Sequence, residues 1–135
     1  MNIIEPKGTL DIDISKKDFI PGEIVKGTIK LVLEKPVKAR RFLISLVCEE
    51  WVDVSCGGGK SRRVKKEEVN IHNDVIELSG EGSYNFVQKN FQFKIPEDAA
   101  PTIKGDEVGL RWLVHAKLDI PMGRDKNERV ELFVF

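Results

Sequence analysis

The sequence predicts an all-β chain, folded as an antiparallel, immunoglobulin-like β-sandwich of about seven or eight strands. Three observations carry this reading. Apolar and polar residues alternate with a period of two in segment after segment, which gives each strand one dry and one wet face. Proline and glycine punctuate the segments where turns are needed. No segment carries a helical stripe, since the best candidate, Lys60 to Glu68, has Val64 as its sole apolar residue.

The elements follow in order. Leu10, Ile12 and Ile14 alternate with Thr9, Asp11, Asp13 and Ser15 in a first strand. Ile20-Pro21-Gly22-Glu23 fits a type II turn, because Pro21 fixes its own φ and Gly22 accepts a positive one. A long strand follows over 24–34, with Val25, Gly27, Ile29, Leu31 and Leu33 on its dry side. Pro36 cannot donate to a ladder, so Lys35-Pro36-Val37-Lys38 reads as a turn. Phe42, Ile44, Leu46 and Cys48 resume the alternation, and this strand extends to Trp51 and Val52. Three successive glycines after Cys56 mark a loop.

Val69 to Leu78 is apolar-rich but irregular, a strand without a clean phase. After the turn at Ser79-Gly80-Glu81-Gly82, Phe91, Phe93 and Ile95 line the inner face of a strand ending at Pro96. A connection from Glu97 to Gly109 leads to the clearest alternation, Leu110, Trp112, Val114, Ala116, Leu118 and Ile120. Val130, Leu132 and Val134 repeat it in a final strand. Trp51 and Trp112 read as core or sheet-packing residues.

The whole length, 135 residues, fits one domain. Basic and acidic residues balance at 22 each, which argues against a nucleic-acid partner. The first residues lack the positive region and long apolar run of a secretory signal. No stretch approaches the roughly 18 apolar residues of a membrane span. Two cysteines, Cys48 and Cys56, are too few for a disulfide scaffold. Together these features predict a cytoplasmic protein.

Asp18-Phe19-Ile20-Pro21-Gly22-Glu23-Ile24-Val25-Lys26-Gly27 resembles the opening of arrestin-like N-terminal domains, Y/F-x-P-G-E-x-V-x-G. Phe91-Gln92-Phe93-Lys94-Ile95-Pro96, then Pro101-Thr102, then the strand Leu110 to Asp119, resembles that family's second half. The pieces stand in the family's order across most of residues 10–121. The resemblance implies an adaptor or scaffold, in a superfamily that includes trafficking adaptors, a retromer cargo subunit and sporulation-control proteins. Arrestins pair two such sandwiches, and this chain has length for one. Lys16-Lys17-Asp18-Phe19 looks like the arrestin K-R-D-F step, but its partners belong to the other half, so no phosphate-sensing role is carried over.

Candidate chemistry is sparse. Gly57-Gly58-Gly59-Lys60-Ser61 fails as a phosphate-binding loop, because Val54 stands where the first glycine belongs and no helix pattern follows. Cys48, Cys56, His72 and His115 match no zinc spacing. Glu49 and Glu50 face opposite sides of a strand, whereas Asp11 and Asp13 share one face, the wet side of the first strand. No cofactor and no catalytic constellation is expected.

Two surfaces remain. Lys60, Arg62, Arg63, Lys65 and Lys66 form a basic run that either solvates a hairpin tip or grips an anionic lipid or phosphorylated partner. Leu113, Phe133 and Phe135 alternate onto the face opposite the core, as scattered surface hydrophobes or as an interface. The readings are then a non-enzymatic protein-interaction module, a peripheral electrostatic binder, or an enzyme whose site is dispersed. Other proteins are the expected partners, with a homodimer through an edge strand as one form. The final strand is the natural edge.

Overall fold

The computed structural model describes residues 6–56 and 63–135, with side chains at 6–52 and 68–135. Nine strands follow in chain order: β1 (Gly8–Ile14), β2 (Asp18–Phe19), β3 (Ile24–Ala39), β4 (Arg41–Cys56), β5 (Arg63–Ser79), β6 (Gly82–Lys94), β7 (Ile103–Lys104), β8 (Val108–Asp119) and β9 (Lys126–Val134). Two of them, β2 and β7, are two-residue strands that the alternation could not reveal.

The strands form two sheets. One runs β1-β3-β6, and the other runs β2-β9-β8-β4-β5 with β7 added on β8. All pairings are antiparallel except β2 with β9. The expected sandwich is therefore present, with the alternating residues directed inward. Val25, Ile29 and Leu31 of β3 face Phe42, Ile44 and Leu46 of β4 and Val114, Ala116 and Leu118 of β8 within one apolar cluster. Each fully buried aliphatic side chain contributes about 2 kcal/mol of hydrophobic stabilisation. Trp112 is buried among them, and its Nε1–H donates to the Ala100 carbonyl at 2.9 Å.

The turn at Pro21-Gly22 forms as expected. Gly22 has φ +89°, and the Glu23 N–H donates to the Ile20 carbonyl at 3.2 Å. The Glu23 carboxylate accepts from Lys16 and from the Ile20 N–H, and these bonds lower its pKa despite slight desolvation. Gly22 N–H and Ile95 N–H then stitch the turn to the end of β6.

One expectation is corrected, and two are made more definite. Residues 35–38 do not form a turn: β3 runs on to Ala39, and Pro36 falls inside the register shift between Val32 and Val37. A bulge leaves residues outside the ladder, so a missing N–H costs nothing there. The irregular stretch at 69–78 belongs to the longest strand, β5, whose pairing with β4 shifts at two places. Each shift flips the inward phase, which is why the alternation breaks. Trp51 is on the outer face of its sheet, in register with Gly109, where a Cβ on Gly109 would stand 2.4 Å from the indole Nε1.

Replacing Gly22 by Ala forces a side chain into a left-handed conformation and costs about 1–2 kcal/mol. Gly80→Ala, where nothing lies within 4 Å of the added carbon, leaves stability nearly unchanged. Urea unfolding of the two variants checks the contrast.

Candidate interaction surface

The outer face of the larger sheet carries a charged lattice over a dry strip. Register sets Glu49 of β4 opposite Arg111 of β8, and the Arg111 Nε–H donates to Glu49 Oε2 at 2.8 Å. Arg111 Nη2 reaches Glu68 of β5 at 2.7 Å, and Arg129 of β9 approaches Glu49 at 3.9 Å. One arginine thus ties three adjacent strands. Burial disfavours the Arg111 charge, but hydrogen bonds and Coulomb attraction from Glu49 and Glu68 outweigh it and raise its pKa.

Between the charged row and the pair Ser45–His115 lies Val47 opposite Leu113, with Glu131 on the far side of Leu113. Leu113 is only 5% exposed. It sits on the outward side as expected, yet its neighbours in this chain cover it. Phe133 is half-buried, with the Lys104 ammonium 4.4 Å from its ring centroid. Phe135 is 72% exposed. The three residues expected as an interface therefore differ in what they can offer, and only Phe135 is freely accessible.

His115 is half-buried and holds Asn127 Oδ1 at 2.9 Å. Burial lowers its pKa, the Asn127 hydrogen bond opposes this, and Arg129 and Lys117 lower it further. Cys48 lies in the core, where burial pushes its thiol up to about 11, so it is protonated and inert. His72 is its register partner and stacks obliquely on Trp112 at 5.5 Å, with Nε2 buried and lacking a hydrogen-bond partner among the described residues. No group of three or more metal-ligating side chains gathers among the described residues.

Of the basic run, Lys60 lies outside the described residues, as does Arg62. Arg63, Lys65 and Lys66 are in β5, where the backbone alone is described, in register with Cys56, Val54 and Asp53. An open groove of about 570 Å³ is lined by Asp13, Ser15, Lys26, Thr28, Asn90 and Gln92. None of the groups with shifted pKa values lines it. A smaller cleft of about 260 Å³, between Trp51 and Glu131, includes Arg111, but that guanidinium is already engaged by two carboxylates.

The sheet margins separate the strands more sharply than the faces do. β9 has β8 on one side and, at Phe133 and Val134, β2 on the other. Thr102 adds a main-chain and a side-chain bond to Val134. The expected edge is therefore partly covered. β5 pairs with β4 along one side and with no described strand along the other. Val69, Ile71 and Val75 on it are 60%, 50% and 49% exposed. Along that open side, among the described residues, Lys89 Nζ of β6 donates to the Leu78 carbonyl at 3.0 Å, near the end of the strand. Sequence reasoning passed over this edge, and the visible signal was apolar residues persisting where the alternation failed.

The family model described as "Arrestin (or S-antigen), C-terminal domain" matches residues 7–134. The chain belongs to the arrestin C-terminal-domain family. The arrestin-like expectation from the sequence holds, with the matching model being that of the C-terminal domain. Among solved structures, the arrestin-like fold here is similar to that of Spo0M, a sporulation control protein from Bacillus subtilis, at 24% identity and a TM-score of 0.68. That likeness covers 97% of this chain and 50% of the Spo0M chain, so this chain spans about half the length of that one. No curated protein matches. Among the described residues, no helix is long and apolar enough to cross a membrane.

Two consequences are measurable. Glu49→Gln leaves Arg111 and Arg129 short of a buried counter-charge and costs about 2 kcal/mol, whereas Glu49→Leu combined with Arg111→Leu costs less than Glu49→Gln alone. Chemical denaturation of the set gives both values. The lowered pKa of His115 means that the unfolded chain binds its proton more readily. Its contribution is complete above the unfolded value of about 6.5 and is lost as pH falls from there through the lower folded value. Melting temperatures between pH 8 and pH 5 fall less steeply for His115→Gln than for the parent protein.

Proposed function

We propose that the protein is a non-enzymatic adaptor domain acting in the cytosol, and that it captures an extended polypeptide segment along the free edge of β5. Membership of the arrestin family supports an interaction module. The observation that carries the choice of surface is the β5 margin, where unpaired main-chain groups run beside three half-exposed aliphatic side chains. Main-chain bonding supplies affinity in strand addition, and side-chain contacts supply selectivity. The described grooves lend an enzymatic reading no support, because perturbed titrating groups do not converge in them.

Selection of a random-peptide display library on the immobilised domain tests the reading. Enriched peptides, made synthetically, are expected to shift amide resonances of β5 and β4 in ¹⁵N-labelled protein. Ile71→Lys with Val75→Lys places blunting charges on the edge and weakens binding roughly tenfold. Selected peptides that perturb only β1, β3 and β6, or a selection that enriches nothing, would discard the proposal.

A further inference from the structure

We infer that β5 pairs antiparallel with β5 of a second copy of this chain, so that two larger sheets become one continuous sheet across a two-fold axis. The inference rests on the reading of β5 as an interaction edge and names its partner.

The argument is one of charge order along an open edge. β5 begins with Arg63, Lys65 and Lys66, continues through Glu67 and Glu68, and ends with Asp74 and Glu77. Val69 and Ile71 are exposed in its middle, and Val75 is exposed between the two closing acidic residues. A two-fold axis near the middle of the strand reverses one copy against the other. With that axis at Asn70, Arg63 of each copy lies opposite Glu77 of its partner and Lys66 opposite Asp74, while Glu67 and Glu68 lie opposite Asn73 and His72 and Val69 opposite Ile71. An axis one residue further along, at Ile71, would instead set Glu68 opposite Asp74, so the charges select the first register. Parallel pairing would set basic against basic and acidic against acidic, which is unfavourable. A closed pair related by a two-fold is also the commonest assembly of identical chains.

The described neighbourhood leaves room for it. β5 is terminal in its sheet, and the bond from Lys89 to the Leu78 carbonyl touches only its end. The register shift between His72 and Asn70 puts a bulge near the middle of the strand. A two-fold there places the two bulges symmetrically about the axis, so the bends of the two copies match.

Paired charge variants test this. Asp74→Lys with Glu77→Lys sets lysines opposite Lys66 and Arg63 of the partner. Arg63→Glu with Lys66→Glu sets glutamates opposite Glu77 and Asp74. Asp74 and Glu77 are exposed in the structure, so the first exchange does not touch the core. Sedimentation velocity over a concentration series is expected to show a dimer of the parent protein that weakens as salt rises. Each double variant alone should self-associate roughly tenfold less tightly, from like charges placed opposite one another. Mixing the two variants should restore a dimer at least as tight as the parent.

A parent protein that stays monomeric at every concentration overturns the inference. A dimer indifferent to both double variants also overturns it, since it would use another surface. If the parent is monomeric but the peptides from the display selection still bind β5, the adaptor reading survives without this partner. If neither association occurs, both fall.

Discussion

An open β-sheet must end, and its last strand leaves main-chain donors and acceptors unpaired along one side. That constraint orders most of what is distinctive in this molecule. At one margin of the larger sheet, β2 pairs with the end of β9, and Thr102 bonds to Val134 through both its backbone and its hydroxyl. In the smaller sheet, Asn85 Nδ2 of β6 donates to the Leu33 carbonyl at 2.8 Å where the β3 bulge interrupts the ladder. Unpaired polar groups that lose water are costly, and short local devices meet them. The β5 margin, like the outer margins of β1 and β6 in the smaller sheet, pairs with no described strand and keeps its polar groups satisfied by facing solvent or a partner strand.

The outer face of the larger sheet obeys a related rule. Val47 and Leu113 are apolar residues on the side away from the core, yet both are 5% exposed. Long arginine side chains lie over neighbouring apolar surface while their guanidinium groups find carboxylates. Glu49, 6% exposed, is tolerable there because Arg111 and Arg129 both approach it. A carboxylate buried there with no counter-charge would carry a large desolvation cost. The lattice therefore ties β4, β8, β9 and β5 together across one layer.

Much of the sandwich was legible in the sequence. Leu110 to Ile120 reads as a strand because every second residue is apolar, and β8 places Leu110, Trp112, Val114, Ala116 and Leu118 in the core. The Pro21-Gly22 corner was equally plain, since few other pairs satisfy its backbone angles. Legibility failed wherever the period of two was broken by pairing rather than by composition. Pro36 looks like a turn residue until a bulge supplies a place where its missing N–H is harmless. β5 looks irregular because two register shifts each reverse its phase. Trp51 reads as core or sheet-packing, and the alternation of Phe42 to Cys48 puts it on the outer face, but only the register shows that it packs over Gly109. The interaction edge was illegible for a deeper reason: which strand is terminal is a property of the sheet order, and no single strand encodes it.

Charge on an edge strand ordinarily serves to repel other edges, and β5 has charge in plenty. What distinguishes it is order, with basic residues first, Glu67 and Glu68 next to them, and acidic residues again at the end. Scattered lysines would present every approaching strand with the same sign and reject most of them. A basic beginning and an acidic end instead reject parallel copies and uniformly charged strands while accepting an antiparallel strand of the same composition. The same charges that protect the edge from indiscriminate pairing therefore select for one arrangement, and the exposed aliphatic residues between them supply the contact area that charge alone lacks. An edge built only to repel would have no use for Val69, Ile71 and Val75 at the surface. Their presence, between oppositely charged ends, is what makes β5 read as a strand with a partner.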